Sequence, residues 1–113
     1  LHINGKASLG ENIADYGGLL IGLDAFKKTE QYKRGEKIAG YTPIQRFFLG
    51  YALSWIFEER EEALRQSLLS DVHAPPKWRV NGPLSNIAEF HEAFGIKPGQ
   101  AMYRAPTERV HIW

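Results

Sequence analysis

Cysteine is absent from the 113 residues, which excludes disulfides and thiolate metal sites and leaves the redox compartment unread. Long hydrophobic runs are lacking too. No stretch approaches the eighteen or so apolar residues a membrane span needs, and the opening Leu1-His2-Ile3-Asn4-Gly5-Lys6 is neither a signal peptide nor an initiator methionine. Nor is there an excess of either charge. With 14 Lys+Arg against 13 Asp+Glu the net charge is +1, so bulk charge points to neither nucleic acid nor a membrane surface as a partner. Internal repeats and linkers are missing as well. What remains is 43% hydrophobic sequence in one domain's worth of chain, enough for a real core but short for an enzyme with its own deep cleft. The expectation is a single compact unit over 1–113, cut from something longer.

Apolar periodicity predicts a mainly α fold. Asn4-Gly5 is a turn signal in an extended lead-in or marginal strand. Ser8-Leu9-Gly10-Glu11 fits a capping box, with Ser8 as N-cap and Glu11 at the third helical position. A long, mostly buried helix is expected from there to about Thr29, on Ile13, Leu19, Leu20, Leu23 and Phe26. A polar loop follows, carrying Lys27, Lys28, Lys33, Arg34 and Lys37, which Glu30 and Glu36 dilute into an ordinary solvated surface. Thr42-Pro43 opens a second helix through Phe47, Phe48, Tyr51, Trp55 and Ile56, an aromatic stripe read as core. Glu58 to Glu62 is an exposed charged segment, with Glu61 and Arg65 as an i,i+4 pair. A helical run then stops near Ser70, ahead of Ala74-Pro75-Pro76. Asn81-Gly82 is read as a turn and Pro83 as the first residue of a short helix that Gly95 ends. The tail has no sustained period and is expected to be irregular, anchored by Met102, Tyr103, Ile112 and Trp113.

Two places carry candidate chemistry. On a helix Glu11 and Asp15 lie about 40° apart around the axis, so two carboxylates share one face. Gly17 and Gly18 beside them cost the helix roughly 2 kcal/mol relative to alanine, and their small size admits another backbone. Glu11 has two readings: a capping glutamate favoured by the helix dipole, or a metal ligand, with Asp15 orienting a second ligand. The other place is Asp71-Val72-His73-Ala74-Pro75-Pro76-Lys77-Trp78-Arg79. His73 there is either a surface residue of a stiffened loop or, with Arg79, a donor to an oxyanion and a peptide carbonyl. His91-Glu92 does not complete H-E-x-x-H, because Gly95 stands where the second histidine belongs.

Taken together, Gly5-Lys6, Leu9-Gly10-Glu11-Asn12-Ile13-Ala14-Asp15-x-Gly17-Gly18, Asp71-Val72-His73-x-Pro75, Arg79-Val80-Asn81-Gly82-x-Leu84-x-Asn86-x-x-x-Phe90 and the final Trp113 resemble the C-terminal part of neprilysin-family zinc endopeptidases. Endothelin-converting enzyme and the bacterial oligoendopeptidase O are relatives of that type. The resemblance runs over essentially the whole chain. It implies the C-terminal helical part of a gluzincin-type catalytic domain, ending in an irregular tail. Glu11 is then the third protein ligand of a catalytic zinc, and Asp15 steadies one of two zinc-binding histidines. His73, oriented by Asp71, is the transition-state donor, and Arg79 grips a substrate backbone carbonyl. Trp55, with Ser54, lines the pocket for the residue after the scissile bond.

The H-E-x-x-H helix, source of the other two ligands and the general base, is not in these residues. The expected parent therefore cleaves oligopeptides by a zinc-activated water, while the fragment alone is inert and not expected to retain the zinc. Its partners are the remaining polypeptide and the peptide substrate. The family's animal ectodomains are disulfide-rich, so the missing cysteines suit a bacterial parent, whether periplasmic, envelope-bound, secreted or cytoplasmic. A non-catalytic helical interaction domain derived from the same family is the alternative. An H-E-x-x-H motif in the roughly sixty residues upstream discriminates between the two.

Overall fold

A computed structural model describes residues 2–113. Six helices are present among them: α1 (Leu9–Lys27), α2 (Glu30–Arg34), α3 (Pro43–Leu53), α4 (Glu61–Ser70), α5 (Pro76–Ser85) and α6 (Ala88–Phe94). A short 3-10 turn, Pro106–Glu108, lies in the tail, and the sole β feature among the described residues is an isolated bridge between Ile38 and Tyr41. The mainly helical expectation holds.

The core forms where one stripe of α1 meets α3, α5 and α6. Tyr16, Leu19 and Leu23 bury against Phe48, Leu84, Ile87 and Phe90, and the Phe48 and Phe90 rings meet edge to face at 5.5 Å. Of the stripe predicted as core, Phe48 is buried and Phe47 and Tyr51 pack on it, whereas Trp55 lies outside the cluster and Ile56 is 73% exposed. Helix α1 is less buried than expected. Leu9, Ile13 and Ile21 stand exposed at 56%, 44% and 64%, because a helix packed on one side can bury only one stripe of its apolar residues.

Local chemistry explains the boundaries, including those the sequence misplaces. Thr42 and Gln45 form a complete capping box at the start of α3. That helix ends at Leu53, so Trp55 and Ile56 lie just beyond it, with the Trp55 amide donating to the Ala52 carbonyl at 3.1 Å. The Ser8 box is not made. Ser8 is itself helical in backbone conformation, and its hydroxyl accepts from the Asn12 side chain at 3.1 Å. Inside the polar loop, Thr29 caps the short helix α2 and Gly35 stops it in the left-handed conformation at φ 68°.

The largest difference is at α5. Pro76 opens it, and it runs straight through Asn81-Gly82, leaving Pro83 inside the helix instead of at a new start. The short helix at 88–94 is separate, and Gly95 ends it at φ 62°. In the tail, Met102 and Ile112 pack on the core while Trp113 is 77% exposed. Trp113 nevertheless touches the seat at Gly17: a β-carbon there meets Trp113 and Ile112 side chains at 3.3 Å. The tail is fastened beside it by the Tyr16 hydroxyl donating to the Val110 carbonyl at 2.9 Å, and by the Val110 amide donating to the Asn86 side chain at 2.8 Å.

Candidate functional site

Helix α1, the loop at 71–75 and helix α5 bring the two candidate stretches together. Asp15, one turn after Glu11, turns its carboxylate to Arg79 on α5. Arg79 donates from Nε to Oδ2 at 2.6 Å and from Nη2 to Oδ1 at 2.7 Å. Both side chains are mostly buried, at 14% and 18% exposure, and the carboxylate raises the guanidinium pKa further above its ordinary value. The paired geometry is the bidentate fork, the strongest form of this interaction. The Arg79 guanidinium carbon also lies over the Trp55 ring, 4.1 Å from its centroid. Its Nη1 makes no hydrogen bond to another side chain or carbonyl among the described residues.

His73 sits in the loop that Pro75 and Pro76 prevent from continuing α4. Asp71 Oδ1 accepts from both the backbone N–H and the Nδ1 of His73, at 2.9 and 2.7 Å. The carboxylate can only accept, so Nδ1 carries the proton. On the far side of the ring, Nε2 lies 3.1 Å from Glu11 Oε2. The hydrogen bond to Asp71, followed by the charge of Glu11, raises the His73 pKa above its ordinary value. Asp71 is held below the usual carboxylate range by the His73 backbone N–H first and its ring second. Glu11 itself stays half open to solvent.

A cleft of about 170 Å³ lies in front of His73 and Arg79, lined also by Trp55, Phe57, Asp71 and Pro75. Glu11 meets His73, Asp15 meets Arg79 and Arg79 meets Trp55, with Asp15 and Arg79 64 residues apart in sequence. Among the described residues no group of three or more His, Asp or Glu side chains is disposed to hold a metal. The donor set fits a share of a metal site, one open carboxylate in Glu11, and not a whole one. A larger apolar groove of about 550 Å³ runs along α1 past Leu9, Ile13, Tyr16, Trp78 and Val110.

Sequence reasoning underrated two features. It left Asp15 facing a partner outside the chain, whereas in the structure Asp15 holds Arg79. It also read Tyr51 simply as part of the core stripe, but the Tyr51 hydroxyl donates to the Arg79 backbone carbonyl at 2.8 Å. The available signal was a proline four residues after Arg79.

The helical unit that carries these residues has structural counterparts. The zinc metalloprotease Zmp1 of Mycobacterium tuberculosis in its open state superposes with a TM-score of 0.86 at 34% identity, over 99% of this chain and 17% of that one. In sequence, the chain is 42% identical over 115 residues to an endothelin-converting enzyme homolog of Locusta migratoria, covering 99% of this chain and 16% of the relative. It is 38% identical over 110 residues to a neutral endopeptidase of Lactococcus lactis, again covering 16% of it. The profile of Peptidase family M13 matches residues 1–110. The chain belongs to peptidase family M13, and it spans about 16% of the length of these relatives.

Proposed function

We propose that the parent polypeptide is a zinc metalloendopeptidase acting on oligopeptides, and that residues 1–113 form the C-terminal helical unit of its gluzincin-type catalytic domain. One observation carries this reading: in a chain of family M13, His73 and Arg79 line one cleft, and behind them His73 meets Glu11 and Asp71 while Arg79 is forked on Asp15. Glu11 is the residue of this chain that would hold the zinc, the remaining ligands coming from the rest of the polypeptide. When bound, the metal supplies a Lewis acid that activates water for attack on a carbonyl.

The chain's own residues do the rest. Asp71 fixes the His73 ring by Nδ1, so that Nε2 donates toward negative charge developing on the substrate, a kind of contribution worth roughly 100- to 1,000-fold in rate. Arg79, locked by Asp15 and lying on Trp55, offers its remaining N–H groups to a substrate backbone carbonyl. Asp15 is left with lone pairs for a ligand-bearing imidazole from elsewhere in the protein. Trp55 forms an apolar wall for the residue after the scissile bond. The exposed Leu9, Ile13 and Trp78 form a surface for the missing part of the polypeptide that carries the H-E-x-x-H helix.

The test is Glu11→Gln in the full-length protein, with zinc content and peptide hydrolysis measured together. Both are expected to fall. Full zinc occupancy with normal hydrolysis would overturn the assignment.

A further inference from the structure

Helix α5 has a flaw at the point where it holds Arg79. In a regular helix the carbonyl of Arg79 accepts from the backbone N–H four residues on. That residue is Pro83, which lies within α5 and has no N–H to give. The carbonyl is not left empty, because the Tyr51 hydroxyl of α3 donates to it at 2.8 Å. One turn beyond Tyr51, the ring of Trp55 lies against the Arg79 guanidinium at 4.1 Å. The Tyr51 and Trp55 rings touch edge to face at 6.4 Å.

We infer that Tyr51 is a positioning residue for substrate binding: its hydroxyl replaces the helical donor that Pro83 lacks and so fixes the backbone from which Arg79 reaches the cleft. The inference rests on the proposed role of Arg79. Arg79 is thereby gripped twice from the α3 side, at its main chain by Tyr51 of α3 and at its side chain by Trp55 just past the helix end, while Asp15 sets the direction of the fork. The phenol suits the task. Burial and the nearby Asp15 charge push its pKa up from the ordinary value, which keeps the hydroxyl protonated as a donor. Loss of the hydroxyl leaves a helical carbonyl without a partner and the Arg79 backbone free to drift, and a displacement of the order of 1 Å is enough to weaken a positioned contact.

The test uses the full-length protein and four variants: Tyr51→Phe, Arg79→Ala, the double variant of these two, and Tyr51→Phe combined with Pro83→Ala. Tyr51→Phe is expected to raise KM for a peptide substrate about three- to tenfold, the scale of one neutral hydrogen bond, with kcat and zinc content held within about twofold. On top of Arg79→Ala it should add less than about twofold, because nothing remains to be positioned. Pro83→Ala restores a backbone donor to the carbonyl and should bring KM in the Tyr51→Phe background back toward the original. An unchanged KM in Tyr51→Phe, or a rise that persists undiminished over Arg79→Ala, overturns this inference alone. An unchanged KM in Arg79→Ala overturns the role given to Arg79, and this inference with it.

Discussion

Arg79 closes Nε and Nη2 on the two oxygens of Asp15 at 2.6 and 2.7 Å, joining α5 to α1 across 64 positions of sequence. With exposures of 18% and 14% the pair is between the surface and interior cases, where breaking one partner costs from under 1 to about 5 kcal/mol. Asp15→Ala is expected to destabilise the 113-residue chain by roughly 2–3 kcal/mol, since it leaves a guanidinium poorly solvated and unpaired. Arg79→Ala should cost a similar amount and the double variant clearly less than the sum. Urea unfolding of the four proteins measures the coupling. Strict additivity would mean that the fork contributes nothing to docking α5 on α1.

The adjacent glycines of α1 separate by the same kind of measurement. A β-carbon at Gly17 meets Ile112 and Trp113 at 3.3 Å, whereas at Gly18 nothing lies within 4 Å. Gly18→Ala should therefore stabilise the isolated chain by about 1 kcal/mol, the helix propensity gain. Gly17→Ala sets a similar gain against crowding by the tail, and should leave stability within about 0.5 kcal/mol of the original. If both substitutions stabilise equally in thermal unfolding, the tail is not seated on Gly17 in solution. Repeating Gly18→Ala in the full-length protein then shows whether the rest of the polypeptide approaches that open position.

For the reaction, His73 and Asp71 should behave as donor and orienter. In the full-length protein His73→Ala is expected to keep its zinc while kcat falls roughly 100- to 1,000-fold, the scale of one lost transition-state donor. Asp71→Asn retains the ring but weakens its hold at Nδ1, so its loss should be smaller, about tenfold or more, a scale typical of groups that orient a working histidine. Metal analysis beside single-turnover rates decides the matter. Loss of zinc in His73→Ala would show the histidine serving the metal.

How far the sequence could be read depended on whether the decisive partner was local. Thr42-Pro43 and Gly95 announce a helix start and stop by their own backbone chemistry, and α3 and α6 begin and end there. Asn81-Gly82-Pro83 misleads for the same reason: locally it is a turn and a helix start, yet α5 continues through it. The compensation comes from Tyr51, 28 positions from Arg79, and no local pattern contains it. Helix α2 is five residues of charged sequence with no apolar period to reveal it. Glu11 and Asp15 could be placed on one helix face from spacing alone. Their division of labour, one toward His73 and one toward Arg79, required knowing what packs opposite.

The tie between α1 and α6 gives the chain an acid-sensitive contribution whose sign can be worked out. Lys27 Nζ donates to Glu89 Oε1 at 2.7 Å, and that hydrogen bond above all holds the Glu89 carboxyl below its ordinary value of 4.5. A carboxyl whose pKa is depressed on folding adds stability that is complete above its unfolded value. That stability is lost as the pH falls through the folded one. The window therefore lies below about pH 4.5. Both side chains are about a third exposed, at 33% and 37%, so solvent screening limits the contribution to about 0.5 kcal/mol. Lys27→Met removes the charge and keeps most of the length. Stability by urea unfolding should be lower by about 0.5 kcal/mol near pH 7, and the two curves should converge as the pH falls below about 4.5 and through the depressed folded value. Asp71 is depressed without any part played by Lys27 and acts on both proteins alike; the exposed Asp24 is depressed first by Lys28 and only last by Lys27, so the difference between the curves reports Glu89 above all. A gap that stays constant from pH 7 to pH 3 would mean that Lys27 acts through packing of its stem and not through its charge.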